Sequence, residues 1–340
     1  MSDFIPRRGL GNGHVMTVFA WVRPRRFDRL PPAEERHFET EAETRVLAHC
    51  YWQPDRSRHP LLLALHGLEG SSSAHYMRGI ADKAFARSFN VILLNQRNCG
   101  GTEALCAGLY HSGLTHDARH VIDEVASTDR IDRMVAAGYS LGGNLALKLA
   151  GEYGDAPPPQ LRGVCAVSPI IEIARCVEAL ERRSNLVYQM NFVRALRARM
   201  RRKSLTHPGR FDLDRLRDVW TVRRFDDAYT APFFGFEGAE DYYHRASAMR
   251  VIDCIGVPAL IIASEDDPFV PSGPFRETKL TTNPNITLRI TTHGGHCGFV
   301  GSATADSDGY WAEEQIVEFA HRHAGLGAGG SGLAGRVNQG

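Results

Sequence analysis

One serine of this chain is flanked by glycines where an apolar run gives way to a helical pattern. Gly138-Tyr139-Ser140-Leu141-Gly142 joins a predicted strand over 133–139 to a predicted helix over 141–153. A Gly-x-Ser-x-Gly turn in that setting is typical of a nucleophile elbow, whose glycines avoid collisions in the sharp turn. The helix start directs free N–H groups and its positive dipole end at the serine. We therefore predict Ser140 as a nucleophile rather than part of a phosphate-binding loop, because no Lys stands beside it.

A serine hydroxyl needs a base that takes its proton. The loop 292–299, THGGHCGF, follows a predicted strand and carries two histidines. We predict His296 as the base, because the glycines before it let the loop approach the elbow and imidazole titrates near neutral pH. His293 is the competing histidine. The two histidines could also be metal ligands, but no third ligand is evident, so no metal site is predicted.

The base in turn needs an acid that orients it and stabilises its charged form. The loop 263–271, ASEDDPFVP, follows another predicted strand and carries Glu265, Asp266 and Asp267. We favour Asp267, which precedes a proline and so opens a turn directly. Asp266 also qualifies by position, and it and Glu265 can equally be solvated loop charges.

A tetrahedral intermediate needs N–H donors for its oxyanion. The helix after the serine offers the N–H of Leu141, and the loop 66–73, HGLEGSSS, offers that of Leu68. We predict these two groups as the oxyanion hole. His66 begins the same loop, and bracing of the loop is a better interpretation of it than catalysis.

These residues require a scaffold that brings several loops to one edge. Apolar runs of strand length at 61–66, 90–96, 133–139, 162–168, 258–264 and 286–292 alternate with amphipathic helical patterns at 73–89, 115–127, 141–153 and 310–323. This alternation predicts an α/β fold with a mainly parallel central sheet flanked by helices. Reactive groups then gather at the carboxyl ends of the strands.

The composition excludes several other classes of protein. The 340 residues are 43% apolar and carry a formal net charge of +1, so no general attraction to nucleic acid or to a membrane is expected. The seven cysteines form no CxxC pair, which predicts reduced thiols rather than a zinc cluster or disulfide framework. No signal peptide is recognised, and no apolar segment approaches the roughly 20 residues that span a bilayer. A soluble, cytoplasmic protein is predicted.

Several motifs together resemble one known family. HGLEGSSSAHY, NQRNCGGT, LYHSGLTHD, GYSLGGN, DDPFVP and HGGHCGF look like the YheT-like α/β-hydrolases, whose eukaryotic relatives are abhydrolase-type lipases and esterases. The segments 4–20 and 223–247 also resemble that family's N-terminal strap and its lid-to-core segment. The resemblance implies an α/β-hydrolase fold with an inserted lid, activity on carboxylic esters, and a triad of Ser140, Asp267 and His296. The exact substrate does not carry over.

Five regions follow from these patterns. We predict an N-terminal strap (1–37), a first core segment (38–169), a helical lid insertion (170–249), a second core segment (250–324) and a disordered Gly-rich tail (325–340).

The predicted lid is rich in basic and aromatic side chains. Its basic residues could attract an anionic substrate or lipid surface, or form a solvated helix face: Arg182, Arg183, Arg194, Arg197, Arg199, Arg201, Arg202 and Lys203. Its aromatic residues could line an acyl pocket, although packing is expected for most of them: Phe233, Phe234, Phe236, Tyr242 and Tyr243.

The sequence as a whole predicts a serine hydrolase that cleaves short- to medium-chain or lipid-like carboxylic esters without a cofactor or metal. The expected partner is a small-molecule or lipid ester, with neither nucleic acid nor an obligate protein. Weak peripheral membrane contact through the basic lid stays open. Two other hypotheses remain: an acyltransferase that passes the acyl group to an alcohol, and a non-catalytic binding module on the same fold.

Overall fold

The computed structural model describes residues 4–325, and its centre is one mainly parallel sheet. The eight strands of these residues are β1 (Glu34–Glu41), β2 (Thr44–Tyr51), β3 (Leu61–Leu65), β4 (Asn90–Leu94), β5 (Met134–Tyr139), β6 (Leu161–Val167), β7 (Ala259–Ser264) and β8 (Ile286–Thr291). Their spatial order is β1-β2-β4-β3-β5-β6-β7-β8. Strands β3 to β8 pair in parallel, whereas β2 runs antiparallel to both β1 and β4.

Helices cover both faces of the sheet. They are α1 (Gly13–Val22), α2 (His75–Ala86), α3 (His116–Thr128), α4 (Leu141–Tyr153), α5 (Ile173–Leu180), α6 (Leu186–Thr206), α7 (Val222–Phe225), α8 (Ala231–Phe234), α9 (Ala239–Ala246), α10 (Thr278–Thr281) and α11 (Trp311–His323). Strand β3 shows why both faces are closed. Leu61, Leu63 and Leu65 belong to the core with α3 and α4, and Leu62 and Ala64 to the core with α2 and α11. A strand buried on both sides is continuously apolar.

The predicted α/β fold is confirmed, and the predicted core strands and helices lie within three residues of their expected bounds. The hairpin β1–β2 and helix α1 carried no clear periodic signal. In β1 only Phe38 and Thr40 are buried among charged neighbours, so its core side is too short to stand out. Helix α1 is apolar on nearly every side and therefore lacks a polar stripe.

The segment between β6 and β7 folds as helices α5 to α9, with a π-helical turn at Asp226–Thr230. Part of its positive charge holds it to the core. The buried Lys203 donates hydrogen bonds to Asn98 Oδ1 at 2.6 Å and to the carbonyl of Glu103 at 2.9 Å. The buried Arg199 pairs with Glu69, Nε to Oε1, at 2.8 Å.

The two interpretations of the basic insertion are therefore wrong for Arg199 and Lys203, which face neither solvent nor a ligand surface. Arg202 also pairs with the core, at 2.6 Å from Glu103. Arg202 is itself exposed, as are Arg182, Arg183, Arg194 and Arg201. In residues 4–325, no helix combines the length and apolar character needed to cross a bilayer.

Candidate active site

Ser140 occupies a sharp turn between β5 and α4. Its backbone φ is +54°, a left-handed value that is uncommon for a residue other than glycine. The glycines on both sides are required by space: a Cβ on Gly138 would collide with the Gly142 carbonyl, and one on Gly142 with the Leu65 carbonyl. The turn is secured by a hydrogen bond from the Ser140 N–H to the carbonyl of Val167 at 2.9 Å. The structure thus has the geometry of an elbow at the serine predicted to react.

His296 and Asp267 form a close pair on the loops after β8 and β7. The distance from His296 Nδ1 to Asp267 Oδ2 is 2.9 Å, and both side chains are nearly buried. The other oxygen of Asp267 accepts hydrogen bonds from the N–H groups of Phe269 and Val270, at 3.1 and 2.9 Å. Because these hydrogen bonds fix the orientation of the Asp267 carboxylate, the carboxylate can in turn fix the orientation of the His296 ring.

The neighbouring carboxylate has a different partner. Asp266 accepts a hydrogen bond from the Gly295 N–H at 2.8 Å, and its Oδ2 lies 3.4 Å from Nδ1 of His293. Asp266 therefore supports the backbone of the histidine loop rather than the ring of His296. The two histidines also face different carboxylates, and residues 4–325 contain no group of three side chains that could hold a metal ion.

The electrostatic surroundings of His296 favour its charged form. Burial lowers the pKa of this imidazole, but Cys297 and Asp267 act in the opposite sense and raise the pKa above its ordinary value. The ring of Phe269 covers the imidazole, with ring centroids 4.1 Å apart, and limits access of water.

Ser140 and the histidine loop meet through the end of β6. The Ser140 N–H donates a hydrogen bond to the carbonyl of Val167. Ser168, the residue after Val167, accepts a hydrogen bond at its Oγ from the Cys297 N–H at 3.1 Å. The Oγ of Ser140 makes no hydrogen bond within residues 4–325 and borders a cavity. Nε2 of His296 is the ring nitrogen that Asp267 does not engage.

The two N–H groups predicted for an oxyanion lie beside Ser140. Leu68 and Leu141 line the same cavity as the serine, and neither N–H has an acceptor among the described residues. The loop approaches so closely that a methyl group on Gly67 would stand 3.3 Å from Cβ of Ser140. This distance is tighter than most Cβ contacts, so a side chain there would push the loop and the serine slightly apart.

His66 braces this loop. Its ring is fully buried, contacts the Gly67 carbonyl through Nδ1 at 2.7 Å and accepts the Gln96 N–H at Nε2 at 3.1 Å. Burial lowers the pKa of His66 to about 4 and keeps the ring neutral. A second brace comes from Tyr110, whose hydroxyl contacts both the N–H and the carboxylate of Glu69, at 3.1 and 3.0 Å.

The cavity at Ser140 has a volume of about 70 Å³ and lies between the sheet edge and the helical insertion. Its walls are mainly apolar side chains of α5, α6, α7 and the adjoining loops: Ile170, Ile173, Cys176, Val177, Leu180, Phe192, Leu196, Val222 and Phe269. Of the five aromatic residues considered for an acyl pocket, only Tyr242 is among the lining residues. Phe233, Phe234 and Phe236 pack with one another or with His111.

Three polar side chains, Ser112, Asp226 and Tyr242, interrupt the apolar wall. The Tyr242 hydroxyl donates a hydrogen bond to Ser112 Oγ at 2.8 Å. The Asp226 carboxyl accepts hydrogen bonds from the hydroxyls of Thr230 and Tyr243 at 2.7 and 2.8 Å. Burial raises the pKa of Asp226 to about 7, although both hydroxyls lower it. Of these groups, sequence reasoning considered only Tyr242. It missed Ser112 and Asp226, and also Thr17, whose Oγ1 accepts the His296 N–H at 2.8 Å. The family-like LYHSGLTHD motif carried the signal for Tyr110 and Ser112.

Residues 60–303 match the model of the alpha/beta hydrolase fold family. The chain is 32% identical over 324 residues to the candidate esterase YheT of Escherichia coli (strain K12), covering 94% of this chain and 93% of that protein. It is 30% identical over 247 residues to phospholipase ABHD3 of Mus musculus, covering 72% of this chain and 60% of that protein.

Solved structures agree on the fold. The Pyrococcus furiosus esterase Pf2001 superposes with a TM-score of 0.59 over 96% of this chain and 99% of that one, at 16% identity. Together with the sequence matches, this confirms the resemblance drawn from the motifs.

Proposed function

The chain belongs to the alpha/beta-hydrolase fold family, and we propose that it is a serine hydrolase that cleaves carboxylic esters through an acyl-enzyme. The observation that carries the proposal is the elbow. Ser140 adopts a strained left-handed backbone at the head of α4 and faces a cavity into which two unpaired N–H groups also open. Strain of this kind concentrates at reactive sites. The names of relatives, among them a candidate esterase and a phospholipase, support the same activity.

In the proposed acylation, Ser140 Oγ attacks the ester carbonyl carbon while its proton passes to Nε2 of His296. Asp267 keeps the proton of Nδ1 in place and stabilises the imidazolium. The carbonyl oxygen becomes an oxyanion, and the N–H groups of Leu68 and Leu141 stabilise it. The tetrahedral intermediate collapses, the C–O bond to the alcohol breaks, and the alcohol leaves with the proton from His296.

Deacylation repeats these steps with water. His296 takes a proton from water, the resulting hydroxide attacks the acyl carbon, and the second intermediate releases the acid and returns the proton to Ser140. The mainly apolar walls of the cavity suit an acyl chain. As long as the helical insertion keeps this conformation, the small volume of the cavity favours short acyl chains.

Hydrolysis of p-nitrophenyl esters from acetate to palmitate tests the proposal. Wild type is expected to turn over with a preference for one range of chain lengths. Ser140→Ala is expected to lower kcat by about 10⁴-fold or more, with an unchanged melting temperature, because the nucleophile is lost and the fold is not. Ser127→Ala, at an exposed site of α3, is the matched control and should behave as wild type.

Two outcomes would count against hydrolysis by Ser140. Full activity of Ser140→Ala would contradict the mechanism, and no turnover of any ester by folded wild type would favour a binding role. Adding a primary alcohol to the assay separates the remaining alternative, because an acyltransferase would form a new ester in place of the free acid.

A further inference from the structure

The outer face of α1 is apolar and open to solvent. Val15, Val18, Trp21 and Val22 all lie on it, and Trp21 and Val22 are 64% and 61% exposed. The inner face of the same helix buries Met16 and Ala20 against the core. An exposed apolar face on a ten-residue helix marks an interaction surface.

A second exposed stripe runs along α6. Val187, Met190, Arg194, Arg201 and Leu205 follow helical spacing on the side opposite the buried Val193, Leu196 and Met200. Val187 and Met190 are 77% and 68% exposed. The stripe therefore combines large apolar side chains with arginines.

The two helices meet beside the candidate active site. The ring of His14 on α1 stacks on that of Tyr188 on α6, with centroids 5.8 Å apart. Tyr188 contacts Phe269, which covers His296, and Thr17 of α1 holds the backbone of His296. We refer to the exposed faces of α1 and α6 as the α1–α6 surface; it adjoins the site rather than lying at the far end of the sheet.

The two chain segments that form this surface are positively charged, although the Asp266 carboxyl of the loop after β7 lies against Gly13 of α1. Residues 4–27 contain five Arg and no acidic residue, and residues 182–210 contain nine Arg or Lys and no acidic residue. Arg25, Arg199 and Arg202 pair with the core, and Lys203 is bonded to it. Among residues 4–325, the exposed Arg26, Arg194 and Arg201 form no ion pair.

We propose that the α1–α6 surface docks the protein onto an anionic phospholipid bilayer. Trp21 and the aliphatic residues enter the interfacial region, and the unpaired arginines contact lipid phosphates. A second copy of the chain fits less well, because a two-fold interface would set this cationic surface against itself. Docking in this way brings the entrance of the Ser140 cavity next to the lipid.

Co-sedimentation of the full chain with vesicles tests the proposal without using turnover. Vesicles of phosphatidylcholine alone are compared with vesicles that contain about 30 mol% phosphatidylglycerol, at low and raised salt. Binding is expected only with phosphatidylglycerol and should weaken with salt. Trp21→Ser/Val22→Ser and Arg194→Glu/Arg201→Glu are each expected to raise the apparent Kd about tenfold or more.

Arg58→Glu/Arg87→Glu is the matched control, with the same change in charge at exposed sites just before the amino ends of β3 and β4. This control variant should bind vesicles as wild type does. Thermal melting checks that every variant folds. Binding to neither vesicle, or equal loss in the control pair, would overturn the proposal. So would a wild-type dimer that Trp21→Ser/Val22→Ser converts to monomer, since the apolar face would then be a contact between copies.

Discussion

Asp266 and Asp267 are adjacent in sequence but have different partners. Asp267 contacts the ring of His296, whereas Asp266 holds the Gly295 N–H. We expect Asp267→Asn to lower kcat by about 10³- to 10⁴-fold, because the imidazole loses both its orientation and its counter-charge. Asp266→Asn should cost much less, because it disturbs only the loop backbone. Equal losses in the two variants would contradict this assignment.

The same pair predicts a pH profile. His296 acts as a base only when neutral, so kcat/KM should fall as the pH drops below its pKa. Cys297 and Asp267 both raise that pKa, so the acid-side fall in wild-type activity is expected at a pH above the ordinary histidine pKa of about 6.5. In Asp267→Asn the midpoint of this acid-side fall in kcat/KM should move to lower pH. The same midpoint in wild type and variant would show that another group titrates.

At the scale of elements, α1 positions the histidine loop. Thr17 accepts the His296 N–H and donates to the Gly13 carbonyl at 2.6 Å, so its hydroxyl bridges the helix and the loop. Thr17→Val keeps the shape and removes the hydroxyl. We expect kcat to fall about tenfold with little change in KM, because the base is misplaced and the substrate pocket is not. Thr17→Ser restores the hydroxyl and should recover activity, whereas a purely packing role would leave Thr17→Ser impaired.

Helix α6 is held to the core by charge as well as by apolar packing. Arg199 is 3% exposed, pairs with Glu69 on the loop of Leu68, and stacks over Tyr110 at 4.9 Å. Arg199→Met leaves the nearly buried Glu69 carboxylate without its counter-charge, and we expect a loss of about 3–5 kcal/mol in the free energy of unfolding. The double variant Glu69→Gln/Arg199→Met removes both charges and should recover much of that loss in urea denaturation. No recovery would mean that the packing of Arg199, not its charge, matters.

At the scale of the whole molecule, one buried carboxyl makes stability depend on pH. Asp226 has a pKa raised to about 7 by burial, so the folded protein retains a proton that the unfolded chain releases near pH 4. The free energy of unfolding should therefore fall as the pH rises from about 4 to 7 and then level off. The free energy of unfolding of Asp226→Asn should lack this dependence on pH. Relative to wild type, the variant should therefore become more stable as the pH rises across that range. Asp123→Asn, at an exposed site of α3, is the control, and identical pH slopes for all three proteins would contradict the prediction.

The sequence alone determined the α/β class, the core strands and helices, and a short set of candidates for chemistry. Each of these depends on signals within a few residues: alternating apolar runs, helical periodicity, and the Gly-x-Ser-x-Gly turn between a strand and a helix. Ser140, Asp267, His296, Leu68 and Leu141 follow from that local pattern, and their roles stay predictions.

Only the tertiary structure decided which candidates meet and which charges are buried. Asp267 and His296 are 29 residues apart, Glu69 and Arg199 are 130 apart, and Thr17 and His296 are 279 apart. Local periodicity cannot rank Asp267 against Asp266 or separate Arg199 and Lys203 from the exposed arginines of the same helix. Those distinctions depend on which distant segment supplies a hydrogen bond or excludes water, and only the packing of helices on the sheet sets that.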